Sequence, residues 1–162
     1  MIYNQYEKKG GLWAQELEKI HLFVKDKNIN SIVEIGAGFS STLFLNSICQ
    51  NVTSYETSDK YIKLLKSKEP NLKIMLWDGE DLVIEEQVDL IFVDGPKGAI
   101  NRKNSFIAAS KKNSYIIVHD TGNEIIQNFC EVYLNDRELI ENFSLEFTPS
   151  RRCNLRFYGK TE

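Results

Sequence analysis

Long apolar runs are missing from this 162-residue sequence, and none approaches the roughly 20 residues that a helix needs to cross a bilayer. The polar start, Met1 to Gly11, lacks the apolar core of a secretion signal. A cytoplasmic protein without a membrane partner is therefore expected. Cysteine is scarce and odd in number: Cys49, Cys130 and Cys153 stand far apart, with no CxxC. That argues against a disulfide framework or a cysteine zinc site, and suits buried free thiols in a reducing compartment. Positive charge is not in excess, the net charge being -3. A mildly acidic chain lacks the electrostatic footprint of a non-specific nucleic-acid binder, so no nucleic-acid partner is expected. Proline is rare, and Pro70, Pro96 and Pro149 each fall where a loop is expected. No repeat, low-complexity tract or linker divides the chain.

What is present suffices for one core. Hydrophobic residues make up 42% of the sequence, and its length fits a single domain over residues 1–162. Leu12 to Lys27 reads as an amphipathic helix, with Leu12, Leu17, Ile20, Phe23 and Val24 near helical spacing; this N-terminal element occupies residues 1–28. From residue 31 to 158, short apolar runs alternate with helix-like stretches. Strands are expected at Ser31 to Ile35, Val52 to Tyr55, Leu72 to Leu76, Val88 to Val93 and Tyr115 to Val118. Helices are expected at Ser40 to Cys49, Lys60 to Lys68, Ser105 to Lys111 and Glu124 to Leu134. Such alternation implies an α/β fold: a mostly parallel sheet covered on both faces. The ending differs. Phe143 to Phe147 and Leu155 to Tyr158 leave no room for a helix, so Pro149 to Asn154 is expected to turn and the chain to close with an antiparallel hairpin.

Ligands of such sheets bind outside the carboxyl ends of the strands. The residues found there form one set. Glu34, Gly36, Gly38 and Ser40 follow the first strand, Glu56 the second, Asp78 and Gly79 the third, Asp94 the fourth, and His119 and Asp120 the fifth. Every strand end carries a carboxylate, which packing alone would not require. Glycines at 36 and 38 let the backbone turn sharply and approach a ligand. The next helix begins near Phe39, so its free N–H groups face that ligand. Glu56, 18 residues beyond Gly38, suits a carboxylate that accepts from a ribose diol. Asp78 could accept from an adenine amino group, with Trp77 or Leu76 flanking the ring, and Phe39 and Tyr55 are further candidates to line the pocket.

A dinucleotide site competes with this reading. GxG is a weak signal, and Ser41 stands where the third glycine of GxGxxG would be. A ring of carboxylates suits a cation such as a sulfonium, whereas a pyrophosphate seeks helix termini and positive charge. S-adenosylmethionine is therefore preferred to NAD.

The motifs EIGAGFSS at 34–41, YE at 55–56, WDG at 77–79, VDLIFVDG at 88–95 and IIVHDT at 116–121 resemble class I S-adenosylmethionine-dependent methyltransferases. The resemblance runs from Ser31 to Tyr158. It implies a Rossmann-like seven-stranded sheet with a terminal hairpin, and methyl transfer as the activity. It also implies that Glu34, Gly36 and Gly38 lie beside the methionine part, with Glu56 at the ribose and Asp78 near the adenine. VDGPKG at 93–98, Arg102 and VHDTGNEIIQNF at 118–129 resemble the glucuronoxylan-type polysaccharide 4-O-methyltransferases. That second resemblance implies a small or saccharide acceptor. Metal-dependent catechol-type O-methyltransferases are also similar at Asp94, Lys97 and Asp120, but Thr121 stands in place of their metal-binding Asn. A divalent metal is the lesser expectation.

A hydroxyl acceptor gains from a base, and Asp94, His119 and Asp120 are the candidates. If Val118 points to one face, His119 points to the other, and one of the His119–Asp120 pair would reach the pocket. Asp94 could instead cap the Asp-Gly-Pro turn. Lys97, Arg102 and Lys103, with Arg151 and Arg152 in the terminal turn, form a basic rim. Arg102 and Lys97 are its candidates for binding an anionic substrate group. The N-terminal helix could cover the substrate or pair with a second subunit. A cofactor-binding module completed by a partner, and an NAD-binding domain, remain alternatives.

Overall fold

Runs of branched apolar residues too short for helices pair side by side in this chain. The computed structural model describes residues 2–6, 12–85, 87–148 and 151–161. In chain order the elements are α1 (Ala14–Asp26), β1 (Ser31–Ile35), α2 (Phe39–Ile48), β2 (Asn51–Glu56), α3 (Asp59–Lys68), β3 (Ile74–Leu76), β4 (Leu90–Val93), α4 (Lys103–Ser110), β5 (Tyr115–His119), α5 (Glu124–Tyr133), β6 (Leu139–Thr148) and β7 (Arg151–Tyr158). Short 3-10 turns occupy Ile2–Gln5 and Ala99–Arg102. The strands form one seven-stranded sheet in the order β3-β2-β1-β4-β5-β7-β6. The first five are parallel, and β7 inserts antiparallel between β5 and β6.

Each central strand is largely apolar because it is buried on both faces, with Glu34 of β1 a buried exception. Val33, Ile35, Ile91, Val93, Ile116 and Val118 face one layer, which includes Phe106 and Ala109 of α4 and Ile126 and Phe129 of α5. Ile32, Leu90, Phe92 and Ile117 face the other, against Leu17, Ile20 and Phe23 of α1 and Phe44 and Leu45 of α2. The alternation continues past the last apolar residue. Asp94 follows the phase of Phe92, and His119 that of Ile117, so both start toward the α1 face.

The register levels the strand ends. Ile35 pairs with Val93, and Val93 with Val118. The residues that follow, Gly36, Asp94 and His119, are thereby brought together where the strand order reverses between β1 and β4. This is the crevice in which open α/β sheets hold ligands.

The C-terminal hairpin departs from the sequence expectation. The ladder pairs Thr148 with Arg151 and continues through Glu146–Arg152 and Leu145–Cys153, so residues 151–154 are strand rather than turn. The segment Arg-Arg-Cys-Asn carries no apolar alternation, because pairing with β6, itself an edge strand, holds it by backbone bonds. Pro149 and Ser150 lie outside the described residues. β6 likewise starts earlier than its apolar core suggests, at Leu139. Cys49 and Cys130 are buried free thiols, as expected. Among the described residues no helix is long and apolar enough to cross a membrane.

Candidate functional site

Close backbone contact between two strand-end loops makes the floor of the crevice. Gly36 has φ +93°, and a Cβ there would lie 2.3 Å from the Gly95 Cα. Only glycine tolerates both the left-handed backbone and that approach. At Gly38 a Cβ would meet the Ser41 hydroxyl at 2.5 Å. The Gly38 N–H donates to Thr42 Oγ1 (3.0 Å) and the Phe39 N–H to the Tyr61 hydroxyl (2.9 Å), so α2 begins at the crevice with its first turn tied down.

Glu34 lies behind this loop. It is fully buried, and its Oε2 accepts from Thr42 Oγ1 and Ser54 Oγ, both at 2.6 Å. Burial pushes its carboxyl up to about 7, while the Ser54 and Thr42 hydroxyls pull the other way. The side chain braces the glycine loop from beneath and does not line the crevice. Ser40 is also buried behind the loop.

Two hollows run along the strand ends. The first, about 500 Å³, is lined by the Gly36–Gly38 loop, Glu56, Tyr61, Asp94, Lys97, Arg102, His119 and Asp120. The second, about 480 Å³, takes in Asp78, Gly79, Glu80, Pro96, Ile100 and Lys103. Thr57 and Lys97 line both, so the two hollows adjoin along the strand ends. Glu56 stands half-buried in the middle, its Oε1 accepting from the Ser58 N–H at 2.9 Å. Asp78 Oδ1 accepts from the Glu80 N–H at 2.9 Å. Trp77 is buried in the core with Leu82 and Ile84 rather than beside the cleft, and Phe39 and Tyr55 also pack against core clusters. The aromatic side chain that does line the first hollow is Tyr61, on α3.

The far end of the first hollow holds a chain of charges. His119 Nδ1 lies 2.7 Å from Asp94 Oδ1, and its Nε2 lies 3.4 Å from Oε1 of Glu16, a fully buried residue of α1. Arg102, only 7% exposed, donates to Asp120 Oδ2 at 2.9 Å and lies 3.5 Å from Asp94 Oδ1. It also donates to the Pro96 and His119 carbonyls. Burial lowers the proton affinity of the His119 ring, but Asp94, Glu16 and Asp120 outweigh it and hold the ring well above its ordinary value. As an imidazolium, His119 carries an N–H on each nitrogen, one bonded to Asp94 and one facing Glu16, and has no lone pair with which to take a proton.

His119 and Asp120 both reach the cleft, because Asp120 breaks the strand alternation with φ +61°. Asp94 pairs with His119 rather than capping its own turn. Arg102 is no solvated loop charge, whereas Lys97 and Lys103 are exposed. The side chains of Arg151 and Arg152 lie outside the described residues. Glu16 was not signalled by the sequence, since its register on α1 placed it on an apolar stripe; a carboxylate between Ala14 and Leu17 on a buried face was the available clue.

One atom each of Asp94, His119 and Asp120 lies within 4.8 Å of the others, a spacing that suits a cation. That demand is already met from within the chain. The Arg102 guanidinium and the His119 ring both engage Asp94 Oδ1, and Arg102 also holds Asp120 Oδ2, so a divalent ion there would compete with a buried arginine.

No protein-family model matches the sequence, and no curated protein matches it. Solved structures do match in fold. The N-methyltransferase NodS from Bradyrhizobium japonicum, in complex with S-adenosyl-L-homocysteine, superposes with a TM-score of 0.66 at 12% identity, covering 90% of this chain and 87% of that one. A putative caffeoyl-CoA O-methyltransferase from Staphylococcus aureus gives 0.67 at 19% identity, over 93% and 85% of the two chains. The O-methyltransferase TomG from Streptomyces achromogenes, in complex with S-adenosylmethionine, gives 0.65 at 13% identity, over 94% and 82%. At such identities the likeness establishes the fold: the seven-stranded Rossmann-like sheet of S-adenosylmethionine-dependent methyltransferases.

Proposed function

We propose that the strand-end cleft binds S-adenosylmethionine and that the chain is a methyltransferase acting on a hydroxyl of a small or saccharide acceptor. The observation that carries this reading is the pair of adjoining hollows along the strand ends, the first over the glycine loop, with carboxylates spaced along them. Gly36 and Gly38 line the first hollow, where a ligand meets the loop backbone. Glu56 offers an acceptor to a ribose diol, and Asp78 an acceptor in the second hollow, where an adenine would lie. At the far end, Glu16, Asp94 and Asp120 set three carboxylates against the two cations His119 and Arg102.

When bound, the cofactor supplies a methyl group on a cationic sulfur, open to in-line displacement. The chain must hold the acceptor in line, and such positioning can contribute about 7–11 kcal/mol. With His119 already a cation, proton acceptance from a hydroxyl falls to Asp94 or Asp120. Asp120, turned outward by its backbone, is better placed to meet an acceptor arriving from solvent. Lys97 stands exposed beside both hollows, where it meets an anionic group on the acceptor. The resemblance of VDGPKG and Arg102 to the glucuronoxylan-type enzymes favours a sugar acid, but here Arg102 is spent on Asp120. No metal is required, because Arg102 and His119 already neutralise the carboxylates that would hold it.

Titration calorimetry with S-adenosylhomocysteine, with NAD as control, tests the reading. A micromolar dissociation constant, about -8 kcal/mol, is expected. Glu56→Ala should weaken it at least tenfold, as loss of a charge-assisted hydrogen bond worth about 1.5–3 kcal/mol predicts. Binding of NAD alone would reject the reading.

A further inference from the structure

We propose that Glu16, in the first turn of α1, is a positioning residue for the strand-end site, holding His119 as a double donor so that Asp94 is fixed at the cleft. The inference rests on the reading of this cleft only for its functional consequence.

Glu16 has no exposure to solvent, yet it carries a carboxylate. A charge in that position is costly unless it is partnered on both oxygens. Oε2 accepts from the Trp13 N–H at 2.9 Å, which anchors the start of the helix. Oε1 has no partner at ordinary hydrogen-bond geometry, and the charged group facing it is His119 Nε2 at 3.4 Å. A packing residue on an apolar stripe would be Leu or Met. A carboxylate aimed at a ring nitrogen has a different effect: it fixes which ring nitrogen bears a proton. With Glu16 ionised, Nε2 must be an N–H. Nδ1 lies 2.7 Å from Asp94 Oδ1, so it too is an N–H if Asp94 is ionised. The ring is then a rigid bar between α1 and the β4 loop, and one Asp94 oxygen is held against it.

The charged groups that face this ring come from four elements: Glu16 from α1, Asp94 after β4, Asp120 after β5, and Arg102 at the end of the 3-10 turn. Asp94 and Glu16 favour the cation, and so does Asp120 at 3.6 Å from Nδ1. Arg102 opposes it but is itself consumed by Asp120 and Asp94.

The chain has two histidines, so ring ¹⁵N spectra of the protein and of a His21→Asn variant identify His119 without ambiguity. In the free wild-type protein at pH 7.5, both ring nitrogens of His119 should show the protonated N–H shift. A neutral ring with one bare nitrogen would overturn the proposal by itself, whatever the variants do. Glu16→Gln should lower the ring's titration midpoint by about one unit or more, a tenfold loss of proton affinity, with the circular dichroism spectrum retained. An unmoved midpoint in that folded variant would overturn it. Glu16→Asp, which keeps the charge but shortens the reach, should fall between the two.

If the wild type binds S-adenosylhomocysteine, Glu16→Gln should also weaken binding at least threefold, through loss of Asp94 orientation. Unchanged binding beside a shifted ring midpoint would contradict the positioning role. Failure of the wild type to bind would count against the cofactor reading alone, since the ring titration is made on the free protein.

Discussion

Glu34 illustrates how burial reassigns a residue whose position in sequence suggests ligand contact. Its carboxyl is raised to about 7 by burial, so the folded state holds that proton more tightly than the unfolded chain does. The stabilisation is complete below the ordinary value of 4.5 and is lost as pH rises through about 7. Chemical denaturation between pH 5 and 8 should therefore show the wild type losing up to about 3 kcal/mol relative to Glu34→Gln, which cannot ionise. A pH-independent difference would mean that the hydroxyls of Thr42 and Ser54 offset burial. Arg102 makes the opposite case, a cation whose removal strands charges. Arg102→Ala leaves Asp94 and Asp120 facing each other, and urea denaturation should show a loss of about 3 kcal/mol, the lower end for a broken buried pair because Asp120 is half-exposed. Of the site's residues, Gly36, Gly38, Glu56, Asp78, Asp94 and Asp120 were legible as strand-end signals. Glu16 and Tyr61 were not, because their helices carry no motif and their role depends on which strand end they pack over.

At the level of elements, the crossing of the β1 and β4 loops sets how closely the two halves of the sheet meet. Gly36→Ala drives a methyl group into Gly95, with the backbone in a left-handed region as well. The expected loss is about 3 kcal/mol or more, or failure to fold. Gly79 has a similar φ of +90°, but a Cβ there meets only Thr57 Cγ2 at 3.8 Å. Gly79→Ala should cost just the backbone term, about 1–2 kcal/mol, and the contrast in urea midpoints separates contact from conformation. The five parallel strands and their helices were readable because both faces of each strand are buried, which leaves a continuous apolar run bounded by polar residues. The hairpin was read too short at both strands. Its outer parts are held by backbone pairing, and residues 151–154 show no pattern that burial would impose.

For the molecule as a whole, sheet order and strand register assemble charge in one place. Neither is written in any single segment: the sequence indicates that each strand ends in a carboxylate, but not that Asp94 and His119 meet, nor that an arginine three positions into a loop turn closes the set. Because Arg102 and His119 answer the Asp94 and Asp120 charges, EDTA should leave S-adenosylhomocysteine affinity unchanged within twofold in calorimetry, and added Mg²⁺ should not restore binding to a weakened variant. A requirement for metal would show that Arg102 leaves the site in solution.

Amide chemical-shift mapping of the labelled protein with S-adenosylhomocysteine locates the ligand directly. Perturbations should concentrate at residues 36–39, 56–58, 78–80, 94–97 and 119–121, the five strand ends that line the cleft. Shifts centred instead on the polar hollow at the opposite end of the sheet, around Asn46, Asn51 and Lys73, or no shifts at millimolar ligand, would contradict a strand-end cofactor site.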